Sequence, residues 1–245
     1  MRRQGATAIL ILIFLACVCL LYVGRHTRSP STVRITPAER DSTGRTGAIP
    51  PESNNQGSAA SESCRTLGVT CKSEYFAPWN WPENGSCRTT LSNGYPVPDK
   101  RCTPGGIVPD LSADVLRSRL WRTKCIRNCQ SSEAEKHTVY DWYDLPKPIH
   151  NNGKNQVCEL DHLVPIELGG ADGLGNIWPQ CGPNEVALHD RYFKRKDEVE
   201  GYLATKVRDG DMSLDEAQRG IASDWTQYLP AAERSESGRL ARRIR

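Results

Sequence analysis

Glu159-Leu160-Asp161-His162-Leu163-Val164-Pro165, then Gly169-Gly170, then Asn176-Ile177-Trp178-Pro179, is the stretch on which the fold turns. An acid and a histidine stand side by side where a run of strand-forming residues ends. Two glycines follow, and an asparagine comes fourteen positions after His162. Read locally, this is a strand over residues 157–160, a turn through 169–175 and a second short strand at 177–178, which make a hairpin. The glycines let the chain fold back so that the asparagine meets the histidine. An adjacent carboxylate and imidazole can divide labour at a phosphodiester, the first holding a divalent cation and the second activating water.

Downstream, a helix is expected from near Asn184 to about Val207, with Leu188, Tyr192, Val199 and Leu203 as its buried stripe and Gly210 as its stop. Ser213-Leu214-Asp215-Glu216 reads as a capping box that opens a further helix through Ala217, Ile221 and Trp225. Upstream, Pro104-Gly105-Gly106 is a turn, and Ser112 is the N-cap of a short helix whose apolar side is Val115, Leu116 and Leu120. Residues 138–143 read as helix. Trp178 and Trp225 read as core aromatics. No internal repeat is visible.

The chain has 245 residues, 38% hydrophobic and 25% charged, with a formal net charge of +3. That suffices for one domain with a core, and the charge is too small to argue for nucleic acid by itself. Basic residues cluster at 117–124, 194–196 and 234–245, and each cluster alone reads as a solvated face or a frayed end. Ala6 to Val23 form an apolar run behind Arg2 and Arg3. At ~1.5 Å per residue the run reaches about 27 Å, close to the roughly 30 Å of a bilayer core. Residues 1–24 therefore read as an uncleaved membrane anchor, with a cleaved signal segment as the competing reading. Either one exports the rest, to a periplasmic or extracellular side. Of ten cysteines, Cys17 and Cys19 lie inside the run; the other eight fit four disulfides in an oxidising compartment. A zinc site is disfavoured because no Cys-x-x-Cys pair occurs. Cys158 and Cys181 bracket the hairpin and would staple it. Residues 25–63, rich in Ser, Thr, Pro, Gly and Asn, read as a disordered linker. Residues 64–101 read as a Cys- and Pro-rich loop segment, 102–229 as the main domain and 230–245 as a basic disordered tail.

Strand, glycine turn, strand and helix, with Asp161-His162-Leu163-Val164-Pro165 first and Asn176 in the middle, resembles the HNH endonuclease family and its ββα-metal unit over roughly residues 157–203. A closer resemblance covers roughly residues 102–225. Cys102-Thr103-Pro104-Gly105, Cys125, Glu167-Leu168-Gly169-Gly170 and Met212-Ser213-Leu214-Asp215-Glu216-Ala217-Gln218, with the hairpin, look like exported bacterial HNH-like proteins of unknown function. The closer likeness adds a fold and a compartment but no substrate.

The resemblance implies an α+β fold, a small ββα-metal core with extra helices and disulfide-rich irregular segments. It implies an endonuclease of low sequence specificity that hydrolyses phosphodiesters in DNA, possibly RNA. His162 would be the general base, and Asn176 would fix the hairpin and orient His162. Asp161 would ligate a divalent ion, Mg²⁺ first, with Mn²⁺ or Zn²⁺ as alternatives. A helix-borne residue would complete the metal shell. His189 is preferred, with Glu185 on its face; Asn184 is the other candidate and is equally readable as a helix N-cap. Lys194, Arg195 and Lys196 would contact the nucleic-acid backbone. The alternative is a non-catalytic binding module of the envelope on the same scaffold.

Overall fold

Alternation and glycine placement dictate the central hairpin. In the computed structural model, which describes residues 64–235, strand β3 (Cys158–His162) pairs antiparallel with strand β4 (Ile177–Cys181). The register runs from Cys158↔Cys181 to His162↔Ile177, and the Cys158–Cys181 disulfide closes the open end. Both strands are longer than expected: Asp161 and His162 still pair across to Trp178 and Ile177, and Pro179, Gln180 and Cys181 pair with Leu160, Glu159 and Cys158. The loop between them is locked by Asn176. Its side-chain oxygen accepts from Val164 N at 2.9 Å, and its amide donates to Val164 O and Ala171 O at 2.8 Å each. Gly170 is obligatory in this loop, since a Cβ there would lie 1.8 Å from the Val164 carbonyl oxygen.

The anchor over residues 6–23, the linker over 25–63 and the end of the tail, 236–245, lie outside the described residues. Among the described residues no helix is long and apolar enough to cross a membrane.

Ahead of the central hairpin stand a second hairpin, β1 (Thr90–Ser92) with β2 (Tyr95–Val97), and the short helices α1 (Ala113–Arg117), α2 (Glu133–Lys136) and α3 (Thr138–Trp142). Ser112 caps α1 as expected, accepting from Val115 N. After the hairpin come α4 (Tyr192–Asp209) and α5 (Leu214–Asp224), with Gly210 as the C-cap of α4 and Ser213 as the N-cap of α5. Helix, small sheet and four disulfides together make an α+β fold.

Three departures from expectation have physical causes. Helix α4 begins at Tyr192 rather than near Asn184, because the Tyr192 amide bonds the Gly182 carbonyl at 2.9 Å and fixes the first turn at the end of β4. Its buried stripe is Phe193, Lys196, Val199, Leu203, Ala204 and Val207, so Leu188 and Tyr192 fall outside it. Second, residues 64–101 are part of the domain. The Cys64–Cys125, Cys71–Cys129 and Cys87–Cys102 disulfides bind them in, and Trp225 Nε1 donates to Pro96 O at 2.9 Å. Third, order continues past Pro230: residues 229–235 are helical, with Leu229 and Ala232 buried.

Two apolar clusters result. One gathers Ile166, Leu168, Val199, Leu203, Ile221 and Trp225 between the helices and the hairpin loop. The other packs Val139, Trp142 and Tyr143 with Leu163, Ile177 and Trp178. Trp178 and Trp225 are fully buried, and truncating a core tryptophan costs about 3–5 kcal/mol.

Candidate functional site

His162 closes β3, so its backbone is fixed by the ladder while its side chain reaches toward the loop. Its Nε2 lies 2.6 Å from Oδ1 of Asp172, a residue with no solvent exposure. Asp172 is over-determined. Its other oxygen lies 3.0 Å from Lys136 Nζ and also accepts from the Asn128 amide, while Ser131 Oγ donates to its backbone carbonyl at 2.6 Å. Lys136 is itself buried on α2, where Glu133 and Asn128 share its ammonium. Burial alone would raise the Asp172 carboxyl. The hydrogen bonds from His162 and Lys136 outweigh it and hold the group below the ordinary carboxylate range. An ionised carboxylate only accepts, so Nε2 of His162 carries the hydrogen that meets Asp172. The His162 ring is thereby held in one orientation by a buried acceptor.

Asp161 points the other way, as its neighbour on a strand must. It is buried against α4, where Lys196 Nζ lies 2.9 Å from its Oδ2. Burial pushes its carboxyl up, and the Lys196 charge opposes that. Glu159, two residues earlier on the same face, is pushed up to about 7 by burial and then by the charges of Asp161 and Asp197.

The residues expected to complete a metal shell stand elsewhere. Asn184 and His189 are exposed on the segment that precedes α4, and His189 Nε2 pairs with Asp190 at 3.3 Å. Neither forms a hydrogen bond or ion pair with Asp161, whose partner is Lys196, and Glu185 is exposed beside them. Among the described residues no three His, Cys, Asp or Glu side chains converge on a common point. Asp161, Asn184 and His189 therefore do not fit the divalent ion expected of them. The cause is the late start of α4, which leaves residues 184–190 outside the helix.

The basic run on α4 is also rearranged. Lys196 has no solvent exposure and cannot meet a phosphate. Lys194 is half-buried and pairs with Asp197 at 2.7 Å; Arg195 pairs with Glu198 at 2.7 Å and with Glu233. Helical phase accounts for this, since position 196 falls on the stripe with Val199 and Leu203.

No family model, curated protein or solved structure matches this chain.

Three residues of the site escaped the sequence reading. Asp172 stands ten positions after His162, as the one acid of the glycine-rich turn 169–175, and its acid was the signal. Lys136 gave none, because a lysine in a charged helix reads as exposed. Glu200, which shares Lys196 with Asp161, follows Lys196 at i+4 and was visible as a helical ion pair.

Proposed function

We propose that this chain hydrolyses phosphodiester bonds in nucleic acid, DNA before RNA, on the exported side of a membrane, with His162 as general base on an HNH-like hairpin. The observation that carries the reading is the buried Asp172 on Nε2 of His162, at 2.6 Å. A structural histidine needs one acceptor. This one has an acceptor braced by a buried lysine, a backbone amide and a serine. His162 Nδ1 would take the proton of the attacking water as its oxygen bonds phosphorus, and the leaving sugar oxygen would depart with the displaced electron pair and take a proton from solvent. Asp172 and Asn176 act as positioning residues, the first on the imidazole and the second on the loop. No step is assigned to a metal ion, since the expected ligands do not fit one. Four disulfides support an oxidising compartment.

The test is plasmid nicking by the purified protein, with Mg²⁺, Mn²⁺ or Zn²⁺ and again in chelator. His162→Ala is expected to abolish nicking while the thermal melt stays cooperative. Asp172→Asn is expected to lower it by roughly 10²–10⁴-fold through the wrong tautomer. Intact plasmid under every condition, or a His162→Ala protein as active as the parent, defeats the reading.

A second reading, a non-catalytic binding module, is favoured by one observation: Lys194, Arg195 and Lys196 are all neutralised by carboxylates. It requires an inactive parent protein, and Asp172→Asn would then change stability alone.

A further inference from the structure

The place where a divalent ion was expected is filled by a side chain of the chain itself. Lys196 leaves the inner face of α4 three residues before Val199 and seven before Leu203, with no solvent exposure. Its Nζ donates to the His162 carbonyl oxygen at 2.7 Å and to Glu200 Oε1, and it lies 2.9 Å from Asp161 Oδ2. That last oxygen is buried and receives no aligned hydrogen bond, so its contact with the ammonium is one of charge and not of direction. Two carboxylates and a carbonyl, all of them oxygen, therefore converge on one point. This is the donor set of a hard cation, not of a solvated lysine.

We propose that the Lys196 ammonium is the resident cation of the β3–α4 junction, and that deleting its side chain converts the same three oxygens into a binding site for a hard divalent cation. A divalent ion cannot share the position with the ammonium, because both would meet the same oxygens at contact distance. Asp161 and Glu200 hold the ammonium from two sides. Without the side chain, the Asp161 and Glu200 carboxylates are left without their shared ammonium, near Glu159 and Asp197. A cation with its water would neutralise them there in competition with protons. Donors now at 2.7–2.9 Å need to contract modestly to reach the ~2.0–2.6 Å of Mg²⁺ or Ca²⁺ ligands. The inference is independent of whether the chain cleaves nucleic acid.

The experiment uses the full chain and four probes, the chlorides of Mg²⁺, Ca²⁺, Mn²⁺ and Zn²⁺, read by thermal melting and calorimetric titration. The parent protein is expected to melt at the same temperature in chelator and in millimolar metal. Lys196→Ala is expected to melt lower in chelator and to regain several degrees with Ca²⁺, Mn²⁺ or Mg²⁺ at one-to-one stoichiometry. Adding Asp161→Asn is expected to remove that recovery. Lys196→Met keeps the volume but supplies no charge; it is expected to be rescued by Glu200→Gln rather than by metal. A parent protein that binds one metal and loses it on Asp161→Asn overturns the proposal. A Lys196→Ala protein that no metal restores, folded or not, overturns it equally.

Discussion

At the scale of single residues, the decisive feature is that Asp161 and His162 serve opposite faces of one strand. Adjacency in sequence suggests a shared task, yet strand geometry sends His162 to Asp172 and Asp161 to Lys196. The histidine and asparagine were legible because their spacing fixes the loop. The partners were not, because a buried lysine looks like a surface lysine until helical phase is counted from Val199 and Leu203. Glu159 carries a residue-level prediction. Its folded carboxyl is raised to about 7, from an ordinary 4.5, by burial and then by Asp161 and Asp197, against the pull of Lys194 and Lys196. A raised acid binds its proton more tightly when folded. Its stabilising share is complete below about 4.5 and is lost as pH climbs through about 7. Glu159→Gln is therefore expected to be more stable than the parent above neutrality, with the gap closing in acid. Urea midpoints across that window measure it, and parallel profiles for the two proteins would contradict it.

At the scale of elements, hairpin, helices and caps follow from local chemistry, and the misplacements occurred where a tertiary bond chose among local options. Pro183-Asn184-Glu185 is a sound helix entry, but the Tyr192 amide is held by the Gly182 carbonyl, and the helix starts there. The β1–β2 hairpin had a signal that the cysteines and prolines around it obscured. Asn93-Gly94 takes positive φ at both positions, 49° and 81°, as a two-residue hairpin turn demands. Two glycines test how far element geometry governs stability. Gly170→Ala drives a methyl into the Val164 carbonyl and is expected to cost more than about 2 kcal/mol. Gly201→Ala sits on the exposed side of α4 with nothing within 4 Å of the new methyl, and is expected to stabilise by about 0.5–1 kcal/mol. Chemical denaturation of both variants gives the two signs. A Gly170→Ala protein as stable as its parent would mean that the loop yields more readily than its Asn176 lock implies.

At the scale of the whole molecule, the question is which residues make up the folding unit. Composition placed a boundary near residue 102, where the Cys- and Pro-rich stretch gives way to recognisable helices. The contacts erase that boundary. Trp79 donates to the Cys102 carbonyl at 2.9 Å and packs against the cluster that holds Trp142 and Trp178. Tyr95 meets the Trp225 ring edge-on with centroids 5.6 Å apart, and Ser92 bonds Asp224 from the same hairpin. Loop composition misled here because irregular backbone can still bury aromatic rings when disulfides hold its ends. The Cys64–Cys125 and Cys71–Cys129 bridges close spans of 61 and 58 residues, and each native disulfide in a small exported domain is worth about 2–5 kcal/mol. A protein that begins at Cys102 would lose both bridges and the partner of Cys102 itself. It would also uncover Trp225 and Trp142 on one side each. It is expected to lack a cooperative melt and near-ultraviolet circular dichroism, whereas one that begins at Cys64 retains both. A sharp melting transition from the shorter protein would show that residues 64–101 decorate a domain able to stand without them, and would return the boundary to where composition drew it.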